Sequence, residues 1–152
     1  MTQPKLNLNR MVDTLKAAAE TSRLRILVLL SRGDLTVSDL TVILNQSQPR
    51  VSRHLKLLLE AGLIGRYQEG SWAFFRLSDV DAAREFALGL VVRVDTADPL
   101  IERDLERLTS VKQKYRERAG QYFSANAAQW DQLRALHVPD DAVEAALQKF
   151  VG

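Results

Sequence analysis

The sequence predicts a mainly α-helical protein carrying one β-hairpin, on three observations. Apolar residues recur at spacings of three and four over most of the chain, which puts them on one side of a 3.6-residue helix. After Gly62 the period shortens. Residues 63–68 and 72–77 are rich in Ile, Tyr, Trp and Phe and flank Glu69-Gly70-Ser71, as two strands and their turn would. From Leu100 an apolar stripe then runs for more than thirty residues, longer than an ordinary globular helix.

In chain order, residues 1–6 read as a loose polar tail. Between Asn7 and Ala19, the positions Leu8, Met11, Val12, Leu15 and Ala18 or Ala19 make a first amphipathic helix. Ser22 is the expected cap of a second helix, which carries Leu24, Leu27, Val28 and Leu30 to about Arg32 and stops at Gly33. Thr36 opens a third helix through Val37, Leu40, Ile43 and Leu44. Asp39 there is a shortened stand-in for the Glu of a capping box, so the box is expected to be imperfect. Asn45 and Gln46 form a brief polar turn.

The stretch from Ser47 to Leu63 organises the rest. Ser47 can cap the backbone N–H groups that a first turn leaves unpaired, Pro49 suits that turn, and Gly62 supplies the stop, so a helix is expected over about Gln48 to Ala61. Val51, Leu55, Leu58 and Leu59 fall on one stripe. Arg50, Arg53 and Lys56 point the other way, with His54 on the flank. A short helix, a turn and a second helix with a basic outer face make a helix-turn-helix, and a hairpin directly after it is the wing of a winged helix. Arg66, Arg76 and the tip around Gly70 would be the wing's phosphate-reaching groups.

A further helix is expected from Asp79 to about Val94, followed by a break at Asp95 to Pro99. The long stripe then takes Ile101, Leu105, Leu108, Val111 or Lys112, Tyr115, Ala119, Tyr122, Ala127, Trp130 and Leu133. A domain of this size cannot bury such a stripe unaided, which predicts a long C-terminal dimerisation helix paired with a second copy. Gly120 and Asn126 are its weak points. His137 to Asp141 is a turn, and Ala142 to Val151 a last short helix. The expected division is a winged-helix DNA-binding domain over 1–78 and a helical dimerisation and connector segment over 79–152.

Composition narrows the function. At 152 residues, 46% hydrophobic and 26% charged, the chain can build one core of moderate size. It has no cysteine, which excludes disulfides and thiolate metal sites, and its two histidines, His54 and His137, are far apart. No apolar run is long enough to span a membrane and no secretory signal opens the chain, so a soluble, cytoplasmic, nucleoid-associated protein is expected. The net charge of +2 is uneven. Met1 to Ser78 holds eleven Lys and Arg against six Asp and Glu, and the remainder ten against thirteen, which places a polyanionic partner on the first half.

The succession from Ala17 to Leu77, above all Ser47-Gln48-Pro49, Val51-Ser52-Arg53-His54-Leu55-Lys56 and Glu60-Ala61-Gly62-Leu63-Ile64, resembles the ArsR/SmtB family of dimeric winged-helix transcriptional repressors. The resemblance implies a homodimer whose first and last helices form the interface, with two recognition helices in successive major grooves of a near-palindromic operator. It also implies DNA contacts at Ser47, Gln48, Arg50, Ser52, Arg53, His54 and Lys56, with Arg66 from the wing. By chemistry, Arg53 and then Arg50 suit guanine and Gln48 suits adenine, whereas Lys56 and Ser47 suit phosphates. For His54 a local packing or hydrogen-bonding role stands ahead of base contact.

Sensing departs from the family pattern. The positions of its paired cysteines fall here on Thr36 and Ser38, and no histidine lies between Asp79 and Leu136, so no metal site and no cofactor are expected. Residues 98–147 are also similar to the connector in proteins that fuse such a module to an S-adenosylmethionine-dependent methyltransferase, which leaves the regulatory part of that enzyme as the alternative function. The glycine-rich cofactor cradle of the catalytic half is absent from this sequence. Glu102, Asp104 and Glu106 alternate with Arg103 and Arg107 on what reads as an exposed face, and Ser52 and His54 stand too close on one helix to form a dyad, so no enzyme is expected. The expectation is a sequence-specific DNA-binding repressor, released by a small-molecule effector of unknown identity. Trp130, Tyr122 and Phe123 could line an effector pocket but read first as core.

Overall fold

The computed structural model describes residues 5–125, and side chains as far as Ala119. Six helices and one hairpin follow in the order α1 (Leu8–Ala18), α2 (Thr21–Leu30), α3 (Val37–Leu44), α4 (Gln48–Glu60), β1 (Ile64–Glu69), β2 (Trp72–Leu77), α5 (Asp81–Val91) and α6 (Pro99–Ala125). The core is built around α2, whose residues 25–30 are all buried, with Leu35, Leu40, Ile43, Val51, Leu55, Leu58 and Leu63 packed against it.

Local signals explain most boundaries. Asn7 caps α1 by accepting from the Arg10 amide at 2.8 Å. At α3 the shortened box is complete. The Asp39 amide donates to Thr36 Oγ1 at 3.1 Å and the Thr36 amide to Asp39 Oδ2 at 3.0 Å, so Asp reaches back as well as Glu would. The cap of α2 is a correction. Glu20, not Ser22, accepts from the Arg23 amide, while Ser22 is buried one residue inside the helix, where its hydroxyl accepts from Gln46 Nε2 at 2.8 Å.

The hairpin is antiparallel, in register from Ile64↔Leu77 to Glu69↔Trp72, and turns on Gly70 at φ +60°. Leu35 adds a short bridge on the far side of β2, exchanging backbone bonds with Phe75 at 3.1 and 2.8 Å. α5 is shorter at both ends than its apolar pattern suggests.

α6 departs from expectation in three respects. Gly120 does not break it. Its stripe also needs no second copy as far as Tyr115: Ile101, Leu108 and Val111 are buried, and Leu105 and Tyr115 pack against the chain's own core. The expected exposed charged face holds for Glu102, Arg103 and Glu106 but not for Asp104, which is only 1% exposed, and Arg107 is half-buried. Trp130, the turn at 137–141 and the helix at 142–151 lie outside the described residues, as do the side chains of Tyr122 and Phe123.

Candidate nucleic-acid interface

The site is assembled by the α3–turn–α4 unit. Asn45 closes α3 in the left-handed conformation, φ 54° and ψ 48°, which Asn tolerates better than most side chains. Gln46 ties the turn to Ser22 of α2. Ser47 then stands in extended geometry as the N-cap of α4, its Oγ accepting from the Arg50 amide at 3.4 Å. Gly62 ends the unit at φ +76°, a conformation that disfavours any side chain.

This frame fixes the orientation of α4. Val51, Leu55 and Leu58 are buried, at 0%, 2% and 0% exposure, so the helix cannot roll without opening the core. Gln48, Arg50, Ser52, Arg53 and Lys56 are all exposed, as is Ser47. Arg50 and Arg53 are three residues apart and therefore neighbours on the surface. Neither side chain has a salt bridge among the described residues, and Lys56 meets only Glu60, at 4.0 Å between two exposed groups. Such a pair is worth little in water.

His54 stands apart. It is half-buried, with Nδ1 3.3 Å from Arg23 Nη1 and 3.8 Å from Glu20 Oε2. A guanidinium can only donate, so Nδ1 must accept and the ring proton sits on Nε2. Burial lowers the histidine's pKa, with Glu20 opposing and Arg23, Arg50 and Arg53 reinforcing the shift. The local role weighed for His54 is the one this geometry supplies.

In the wing, Tyr67 stacks on Phe74 with centroids 5.5 Å apart, and the Arg76 guanidinium lies 5.8 Å from the Tyr67 ring. Tyr67 donates to Asp34 at 2.6 Å. Burial and that bond push its pKa well above the tyrosine norm and fasten the wing to the α2–α3 loop. Arg66 is exposed, whereas Arg76 is half-buried and paired with Asp79 at 2.9 Å. Trp72 is 57% exposed beside the tip.

Sequence reasoning missed three contributors. Arg23 orients His54 and also donates to the Ala17 carbonyl. Arg25 and Asp104 form a buried pair, Nε to Oδ2 at 2.7 Å and Nη2 to Oδ1 at 2.8 Å. A signal was present: Asp104 falls in line with Ile101, Leu108, Val111 and Tyr115, and a carboxylate on an apolar stripe calls for a buried cation. Among the described residues no His, Asp and Glu cluster could hold a metal ion, and no helix is long and apolar enough to cross a membrane.

Three core helices, a tight turn into an outward-facing basic helix and a hairpin behind it define a winged helix-turn-helix protein. A model of the bacterial regulatory protein arsR family matches residues 20–65. The arsenical resistance operon repressor of Escherichia coli (strain K12) is 47% identical over 68 residues, covering 44% of this chain and 58% of its own. The transcriptional repressor SdpR of Bacillus subtilis (strain 168) is 34% identical over 68 residues, 45% of this chain and 76% of its own. Among solved structures, the homodimeric winged helix-turn-helix DNA-binding domain (fragment 1–100) of a possible ArsR-family transcriptional regulator from Mycobacterium bovis is similar. It has a TM-score of 0.50 and 33% identity, with 56% of this chain and 79% of that one covered. This chain belongs to the ArsR family. It spans about half to three-fifths of the length of the arsenic-resistance relatives it matches.

Proposed function

We propose that this chain is a cytoplasmic, sequence-specific DNA-binding repressor that acts as a homodimer on a near-palindromic duplex and is released by an effector. The observation that carries the reading is the exposed Arg50, Arg53 and Lys56 face of α4, held outward by the burial of Val51, Leu55 and Leu58. Arg53 and Arg50 would read guanine edges and Gln48 adenine. Ser47, Lys56 and Arg66 would hold phosphates, with Ser52 beside them and Arg76 acting through its place in the wing. His54, on the flank of α4, ties that helix to Arg23 and Glu20 at the start of α2. Residues 1–78 form the reading domain in this proposal and 79–152 the helical segment joined to it. The second copy is seated on α1, where Leu8, Val12 and Leu15 are 79%, 40% and 45% exposed at helical spacing. Two recognition helices about 34 Å apart then meet successive major grooves.

The relatives named for arsenic resistance do not bring arsenic sensing with them. Thr36 is an intramolecular cap, Ser38 is an exposed hydroxyl, and the sequence has no thiolate to offer a soft ion. The methyltransferase alternative finds no support in the family match or in the relatives described. A reading frame continuing past Gly152 into a glycine-rich strand-turn-helix would speak for it.

The test is an electrophoretic titration of the chain against duplexes selected from genomic DNA, repeated from about 50 to 200 mM salt. A dimer closing six to ten phosphate contacts should lose about 10³ to 10⁵ in affinity over that range. Absence of any duplex binding at the lowest salt would refute the reading.

A further inference from the structure

A recognition helix is only as well aimed as the turn that delivers it, and here the end of α3 is held by a helix far away in sequence. The last-turn carbonyls of any helix lack partners within it, and the last turn of α3 contains no basic residue of its own. Two guanidiniums come from elsewhere. Arg107 Nη1 of α6 donates to the Ile43 carbonyl at 3.0 Å, and Arg25 Nη2 of α2 reaches the Leu44 carbonyl at 3.5 Å. Cations at this end of a helix are also favoured by its dipole. Arg25 is itself aimed by α6, through the two bonds to buried Asp104. At the opposite end of α3, Tyr115 Oη donates to both Asp39 oxygens at 2.9 and 3.0 Å, and Asp39 is the residue that closes the cap with Thr36. α6 therefore grips α3 at both ends. It does so from outside residues 20–65, the stretch matched by the family model.

We infer that α6 is a positioning element for DNA reading: Arg107, and Asp104 through Arg25, fix the end of α3 and so the angle at which Asn45 and Gln46 deliver Arg50 and Arg53. The inference rests on the DNA-binding reading. The other tether of the turn, Gln46 to Ser22, runs to α2 and would remain without Arg107. That tether keeps the turn attached while the set of its exit is lost.

The test uses Arg107→Ala in the full chain. Arg107 is half-buried, gives α3 a single bond and lies far in sequence from the proposed DNA-contacting residues, so the variant should fold. Affinity for the selected duplex should fall about tenfold, the scale of one hydrogen bond from a charged donor. Affinity for random duplex, and the salt slope that counts phosphate contacts, should stay unchanged. In the DNA-free protein, amide exchange at residues 43–48 should quicken while that of α2 and α6 does not. Arg107→Lys, which keeps a donor, should recover part of both effects.

Equal losses on selected and random duplex would overturn the inference, as would unchanged exchange at residues 43–48. Exchange is read without DNA, so the two failures separate. A wild type that binds no duplex sinks the DNA-binding reading and this role with it. A wild type that binds normally beside a variant with unaltered exchange sinks this role alone.

Discussion

The recognition helix α4 and the long helix α6 are both amphipathic and both rich in charge, yet they place that charge in opposite ways. On α4, Arg50, Arg53 and Lys56 stand in solvent and the buried face is purely apolar. On α6, Asp104 interrupts the buried stripe and Arg107 and Lys112 bend back onto carbonyls of Ile43 and Arg32 at 3.0 and 2.9 Å. Charge count alone would not separate the two helices. Arg103, Lys114, Arg116 and Arg118 of α6 are exposed like the α4 cations, so what sets α6 apart is that part of its charge, Asp104 above all, is turned inward and partnered by the protein. In the wing, Arg66 is exposed and Arg76 meets Asp79 in a largely solvated pair, which holds it only weakly.

The contrast can be broken most sharply at Asp104. Asp104→Asn leaves the Arg25 guanidinium buried without its counter-charge, which should cost about 3–5 kcal/mol of stability. Urea unfolding should show a lower midpoint at unchanged slope. A shift within about 0.5 kcal/mol, the range of an ordinary surface change, would erase the distinction between the helices. On the α4 side, Arg53→Ala should leave the unfolding midpoint within that same range of about 0.5 kcal/mol. It should remove about 1–3 kcal/mol of discrimination between selected and mismatched duplex, whereas Lys56→Ala should weaken all duplexes alike and lower the salt slope by about one.

The smallest effect concerns His54. Its folded pKa lies below the ordinary 6.5, so between the two values the unfolded chain binds a proton that the folded chain does not. Stability must therefore fall as pH drops below about 6.5, and be unaffected by this group above it. His54→Gln, which takes up no proton there, should flatten that acid slope in pH-dependent unfolding. An identical slope in the variant would mean that the ring is not held neutral by its surroundings.

What could be read from the sequence was whatever is decided within a few residues. Thr36 and Ser47 each cap a helix by reaching an amide three positions on, and Gly62 ends one by its backbone alone, so all three were legible, while Asn7 marked the start of α1 without being read as its cap. The outward placing of Arg50, Arg53 and Lys56 followed from helical phase, which the burial of Val51, Leu55 and Leu58 upholds, whereas the wider proposed contact set came from the family resemblance. The start of α2 was not legible for a tertiary reason. Glu20 and Ser22 are both competent caps, and the choice falls to Glu20 because Gln46, more than twenty residues away, draws Ser22 inward. The covering of α6 depends on Arg25 and Asp39, separated from their partners by 79 and 76 positions, and no local pattern reports a contact at that distance. Only the phase of Asp104 within the stripe gave notice of it.

The short bridge at Leu35 has a bearing on solubility. With Leu35 on one side and β1 on the other, β2 has its backbone groups engaged on both flanks at Phe75, which shortens its open edge and leaves β1 as the longer outer border. Strands whose borders stay open invite another molecule to extend the sheet, and proteins commonly discourage this with charge. Here that border carries Arg66, Gln68 and Glu69, all exposed. The longer border that the wing leaves open is therefore guarded by charge and polar side chains rather than by a covering element.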